Sequence, residues 1–151
     1  MNNKTSDQAH RSSNLNLSLG RLIMQLRRLE RTPRSFGAAG ALTPGEIHTI
    51  DAIGCQDGMF MSELAVRLGV TKGAATQIAS RLECKGLICR RSDPEDARAI
   101  IISLTELGII AYQAHEQLHQ DFCHKLRSRL TSQEIKVFVS CIEELCDVLE
   151  E

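Results

Sequence analysis

Tryptophan is absent from the 151 residues, and one tyrosine and four phenylalanines supply the remaining aromatic rings. With so little ring surface, a core must be assembled from Leu, Ile, Val and Ala. That suits helices packed on helices better than the two-sheet core of a β-sandwich. No apolar run approaches the ~18–20 residues that cross a bilayer, so no membrane span is expected. The opening stretch, MNNKTSDQAHRSSN, has no apolar segment of the kind a secretory leader carries, and a cytoplasmic protein is the expectation. No C-x-x-C pair occurs among Cys55, Cys84, Cys89, Cys123, Cys141 and Cys146. Scattered thiols in a reducing compartment are mostly small buried hydrophobes, so burial is expected for these six.

Net charge is close to zero, at −1, but it is unevenly spread. Residues 1–37 carry seven Lys/Arg against two acids, and residues 71–91 carry five against one. Residues 131–151 carry six acids and a single Lys. A near-neutral sum thus hides two basic segments and an acidic tail, the kind of asymmetry that bears on partners rather than on fold.

The pattern along the chain predicts a mainly helical protein with six helices and a small β-wing. Residues 1–12 are polar and read as a disordered start. Apolar residues Leu15, Leu19, Leu22, Ile23, Leu26 and Leu29 recur at three and four over 14–31, the period of a helix with one covered face. Pro33 and the GAAGA stretch at 37–41 end it. Thr43, Pro44 and Glu46 spell a capping box with proline in the first turn, so a second helix is expected to about Ile53. Ser62 is the expected cap of a short third helix stopping at Gly69, and Thr71 of a fourth reaching Lys85, with Gly86 just past its end. LICRRS and RAIIISL, separated by Asp93-Pro94-Glu95-Asp96, read as a hairpin with Ile100, Ile102 and Leu104 alternating inward. Thr105 opens a long fifth helix, and Thr131 with Glu134 caps the last. Together these define one domain over 13–151, with a lobe at about 42–104 flanked by helices at about 14–31 and 105–150.

A short helix, a tight turn, a second helix and a basic hairpin make a winged helix-turn-helix pattern. The second of those helices must enter a major groove about 12 Å wide, which calls for small and polar residues near its N-terminus. Thr71, Lys72, Gly73, Ala74, Thr76 and Gln77 meet that requirement, with Arg81 one turn later. Gln77 has the donor–acceptor pair that matches an adenine edge. Thr71, Thr76 and Lys72 suit phosphates, and the helix N-terminus attracts them. Ala75, Ile78, Ala79 and Leu82 form the opposite, apolar face. The hairpin adds Arg90, Arg91 and Arg98, cationic groups suited to a minor groove, and Asp96 is placed to orient Arg98 by an ion pair. Double-stranded DNA is the expected partner.

The stretch VTKGAATQIASRLECKGLICRRSDPEDARAIIISLTELG, together with LTPGEIHTI, resembles the recognition helix, wing and second helix of MarR-type regulators. The resemblance spans roughly 14–150. It implies a homodimer on a palindromic operator, with an intertwined dimerisation arm built from the first, fifth and sixth helices, and it makes Asp96 and Arg98 the wing tip. Ala97 departs from the second Arg that many members carry, and Gly73-Ala74 from a common Ser or Thr.

His115 and His119 stand four apart on the expected fifth helix, a spacing that lets two imidazoles share one Zn2+. His48 and Glu30 lie where helices two and one would meet that corner. The chain is similar to the zinc-responsive, zinc-uptake-repressing members of the family. That similarity implies a single Zn2+ site from Glu30, His48, His115 and His119, in which the metal favours DNA binding. Phe36, Ile47 and Ala114 do not supply the donors of a second site. Two other readings stand beside this one. A MarR-type protein can instead be released from DNA by an organic ligand or an oxidant, although Cys55, the first thiol, lies well past helix one. His115-Glu116-Gln117-Leu118-His119 also matches the zinc-peptidase pattern H-E-x-x-H, but Phe122 and Lys125 occupy the places of its usual extension. The expected protein is therefore a regulator and not an enzyme.

Overall fold

The computed structural model describes residues 3–56, 58–96 and 98–150, with side chains from Asn14 onward. Among these residues there are six α-helices and five short strands: α1 Asn3–Leu29, β1 Arg34–Ser35, β2 Ala41–Leu42, α2 Pro44–Ile53, β3 Met59–Phe60, α3 Met61–Arg67, α4 Lys72–Cys84, β4 Ile88–Ser92, β5 Ile100–Leu104, α5 Glu106–Arg127 and α6 Ser132–Glu150. The mainly helical architecture with a β-wing is the one the sequence predicts. No described helix is long and apolar enough to cross a membrane.

The chain divides into two compact units, Met1–Tyr112 and Gln113–Glu151. In the first unit, α1 ends at Leu29 and is followed by a hairpin pairing Arg34 with Leu42 and Ser35 with Ala41. The glycine-rich link that breaks the helix forms a 3-10 turn over Gly37–Ala39. Phe36, buried to 2% exposure, roots that hairpin in the core. The same helix extends back to Asn3, into the polar stretch expected to be disordered. Its first turns hold Lys, Gln, Ala and Arg and no Pro or Gly, so nothing in their propensities stops the helix once its later turns have formed.

Helix starts are where local chemistry decided most. Thr43 Oγ1 accepts from the Glu46 N–H at 3.3 Å, and Glu46 Oε2 accepts from the Thr43 N–H at 2.9 Å, completing the box at α2. Thr71 Oγ1 accepts from the Ala74 N–H at 3.2 Å to begin α4. Thr105 does the same for α5 with the Gly108 N–H at 3.1 Å, and Thr131 and Glu134 close a reciprocal box on α6. The start of α3 differs from expectation. Phe60, not Ser62, is its cap residue, and Glu63 Oε2 accepts the Phe60 N–H at 2.9 Å. The reason lies in β3, a strand too short to show period-two patterning. Met59 pairs with Ile102 and Phe60 with Ile101, so the helix starts directly off a strand. The wing is accordingly a three-stranded antiparallel sheet in the order β3-β5-β4 and not a lone hairpin.

The core of the first unit is aliphatic, as the scarcity of rings requires. Leu42, Ile47, Ile50 and Ile53 come from the α2 region, Leu64 and Ala65 from α3, Ala75, Ala79 and Leu82 from α4, Leu87 from the turn into β4, and Ile88 and Ile102 from the sheet. Gly86, at φ +71°, turns the chain from α4 into β4 in a backbone conformation that a Cβ disfavours. Thr105 then ties α5 to that corner. Its N–H donates to the Leu87 carbonyl at 3.1 Å, and its hydroxyl donates to the Gly86 carbonyl at 2.6 Å. Gly108 lies so close to the Leu87 carbonyl that there is no room for a side chain.

The second unit contains the rest of α5 and all of α6. None of the α6 residues is buried, although Val137, Phe138, Ile142, Leu145 and Leu149 are among its side chains. All six cysteines are exposed as well, contrary to the expected burial. Cys55 follows the end of α2, Cys84 ends α4 on its outer side, and Cys89 occupies an outward position of the alternating strand β4. Cys123, Cys141 and Cys146 lie on α5 and α6, where a single chain offers little cover.

The tight seat of Gly108 makes a direct test of the α5 junction. Gly108→Ala is expected to cost roughly 1–3 kcal/mol, the usual penalty for forcing a methyl group into a packed position. It should appear as a lower urea midpoint with an unchanged slope.

Candidate nucleic-acid interface

Burial of one face of α4 decides what the other face can do. Ala75, Ala79 and Leu82 are fully buried. By the 3.6-residue period, Thr71, Lys72, Gly73, Thr76, Gln77 and Arg81 are therefore presented outward, and each of them is exposed, while Ala74 is half-buried. The groups selected from sequence thus form one surface. Their hydroxyls are not equivalent, however. Thr71 uses an oxygen lone pair for the cap and keeps its proton for an outside acceptor. Thr76 donates its proton to the Lys72 carbonyl at 2.8 Å, so within the helix it offers mainly lone pairs and a methyl group.

The position of α4 is held at its C-terminal end by a contact invisible to pattern reading. Lys85, the C-cap residue of α4, places Nζ 2.8 Å from both Glu46 oxygens. Glu46 is 5% exposed, and the same carboxylate caps α2. Burial pushes its pKa up, but the bonds from Lys85 and from the Thr43 backbone outweigh that cost, and the net direction is downward. Within this first unit the N-terminus of α2 and the C-terminus of α4 are therefore joined through one carboxylate.

The wing arginines separate into distinct roles. Arg91 and Arg98 are exposed. Arg90 is turned onto α4: its Nη2 donates to Ser80 Oγ at 2.9 Å and to the Thr76 carbonyl at 3.3 Å, and its Nε lies 3.4 Å from Glu83 Oε2. At the tip, Asp93 Oδ1 accepts the Glu95 N–H at 2.7 Å. Asp96 Oδ1 accepts the Arg98 backbone N–H at 2.9 Å. The expected ion pair between the Asp96 and Arg98 side chains is not present among the described residues. Asp96 shapes the turn that carries Arg98, because a carboxylate two residues back reaches the backbone N–H more readily than a long guanidinium can fold onto it.

The four candidate metal ligands fall into two pairs. In the first unit His48 Nε2 lies 3.8 Å from Glu30 Oε1, both side chains being roughly half exposed. In the second, the His115 and His119 rings meet edge-on with centroids 4.3 Å apart, and His115 is buried to 8% exposure. Each pair supplies two donors, fewer than the four of a closed zinc site. Among the described residues no group of three or more His, Cys, Asp or Glu is placed to hold a metal ion. Phe36 and Ile47 are core residues, consistent with their lack of donor chemistry.

An apolar-backed reading helix, a short helix before it and a three-stranded wing define a winged helix-turn-helix protein. Residues 42–100 match the model of the MarR family. The chain is 31% identical over 121 residues to the multiple antibiotic resistance protein MarR of Escherichia coli K12, covering 79% of this chain and 84% of that protein. The structure of Streptococcus pneumoniae FabT in complex with DNA superposes with a TM-score of 0.75 at 25% identity, covering 94% of this chain and 97% of that one. A zinc-responsive MarR family member, Lactococcus lactis ZitR, superposes at 0.70 with 19% identity over 91% of this chain and 98% of that one, a likeness of fold. The chain belongs to the MarR family and is a DNA-binding transcription regulator. The H-E-x-x-H match is a coincidence of helix composition in a family of regulators that are not enzymes.

The Glu46 contact has a pH signature of definite sign. A carboxylate whose folded pKa lies below its unfolded value contributes stability above the unfolded value, and that contribution is lost as pH falls through the folded one. Acid unfolding of the wild type is expected to steepen below the ordinary glutamate range. Glu46→Gln should flatten that region and cost roughly 1–2 kcal/mol at neutral pH, since Lys85 is partly in water and its bond is worth less than a fully buried one. Urea titrations at a series of pH values read both effects.

Proposed function

We propose that this protein represses transcription as a homodimer that lays two copies of α4 into successive major grooves of a palindromic operator. The observation that carries the reading is the outward face of α4. Small and polar groups at the N-terminal end of a rigidly backed helix flank a cationic wing, which is the combination a groove requires. The unburied apolar side chains of α6 and, separately, Leu22, Ile23 and Leu26 on α1 supply surfaces that a second copy would cover. The DNA complex of a relative with the same fold supports the docking mode.

The roles of Lys72 and Gln77 separate in a binding assay. The probe is the duplex that the wild type enriches from a randomised pool, followed by fluorescence anisotropy across a salt series. Lys72→Ala is expected to weaken selected and random duplexes alike and to lower the salt slope by about 0.9, one phosphate contact. Gln77→Ala should leave the slope unchanged and relax the preference at one base pair by roughly 1–3 kcal/mol. A wild type that selects no duplex at low salt overturns the reading.

For the effector we propose a divalent metal, zinc by preference, that favours the DNA-bound state. What supports this is the grouping of four donor residues into two touching pairs, Glu30 with His48 and His115 with His119. Imidazole and carboxylate are ligands that zinc accepts. Metal acts here only by differential affinity, so its effect on DNA binding and the effect of DNA on metal affinity must agree in size. Zinc added to chelator-treated protein should tighten duplex binding in the wild type and not in His115→Ala/His119→Ala. Equal DNA affinity with zinc and with chelator would favour the organic-ligand alternative.

A further inference from the structure

Arg90 lies in the basic wing, yet its geometry is that of a bracket. Its side chain is 23% exposed, and its guanidinium is shared among Ser80 Oγ, the Thr76 carbonyl and the Glu83 carboxylate. Those three groups run along two turns of one flank of α4. Thr76 belongs to the outward face itself, and Glu83 is one of only two acids between residues 71 and 93. An arginine reaching for phosphate would have to give up all three partners. We infer that Arg90 is a positioning residue. It pins strand β4 of the wing to the flank of the reading helix, neutralises Glu83 beside a surface that must approach phosphates, and so fixes the angle between helix and wing on which sequence selection depends.

The chemistry requires arginine in particular. A guanidinium can set Nη2 against a hydroxyl and a carbonyl while its Nε, 3.4 Å from a carboxylate, faces the charge from a second nitrogen, a span that the single nitrogen of an ammonium does not cover. A phosphate contact has the opposite preference, since lysine binds phosphate well as a point charge. Arg91, the next residue along the strand, projects to the other side and is exposed. The alternation of the strand thus assigns neighbouring arginines to different tasks.

This inference rests on the DNA-binding reading, and the experiment separates the two. Arg90→Lys keeps the charge and removes the fork, and its thermal unfolding is compared with wild type to show that the lobe remains folded. Binding is measured to the duplex enriched by the wild type and to a random duplex. The expected result is a loss of about 10–100-fold on the selected duplex, the scale of one or two charge-assisted hydrogen bonds. Affinity for the random duplex and the salt slope should stay unchanged. In a Ser80→Ala background, where part of the bracket is already gone, the same substitution should cost markedly less. Wild-type affinity in Arg90→Lys, or a full and additive loss in the Ser80→Ala background, overturns the positioning role while leaving DNA binding intact. Failure of the wild type to enrich any duplex overturns both.

Discussion

One carboxylate organises the reading head. Glu46 caps α2 and at the same time receives Lys85 from the far end of α4, so the two helices share a charge at this point. Apolar packing alone sets a distance between helices but leaves rotation about their axes weakly specified, because dispersion and burial have little directional preference. A buried, doubly occupied carboxylate is directional. With the Ala75, Ala79 and Leu82 face turned inward, it leaves one orientation for the surface that bears Lys72 and Gln77. The wing contributes the second directional restraint through Arg90, on another side of the same helix.

Much of this was legible in the chain because it is local. Threonine caps with a glutamate three residues on, glycine after the last turn of α4 and the three-four spacing of leucines all act within a few residues, and they mark the starts of α2, α4, α5 and α6 and the outward residues of α4. What was not legible is non-local or too short. Nothing in the spacing of Glu46 and Lys85 announces a contact across 39 positions. Two residues of β3 cannot display an alternation, and the strand exists because β5 offers it an edge. Arg90 and Arg91 read alike as basic residues, and only the side of the strand on which each falls distinguishes a bracket against α4 from an exposed cation. Cysteine burial failed for a similar reason, since composition gives the average behaviour of a thiol and not the side of a helix on which a given one lies.

The two pairs of metal-ligand candidates show the same limit from the other direction. Glu30 lies near His48, and His115 against His119. Each is a contact within its own unit, and neither alone has the denticity of a closed tetrahedral centre. The family resemblance thus carries the reading helix, on which burial and backbone agree, further than it carries the effector, whose chemistry depends on the meeting of distant elements.

The seam where Thr105 and Gly108 meet the Gly86–Leu87 corner has a mechanical consequence. The opening turn of α5, the end of α4 and the root of the wing are stitched together with hydrogen bonds and with a backbone approach too close for any side chain but hydrogen. Such a joint leaves little slack between its parts. Half-sites on B-form DNA recur at about 34–36 Å, and on the proposed dimeric reading the helix and the wing root would be carried to each of them as one piece. Any displacement of that opening turn of α5 is thereby passed to the reading helix and the wing root together.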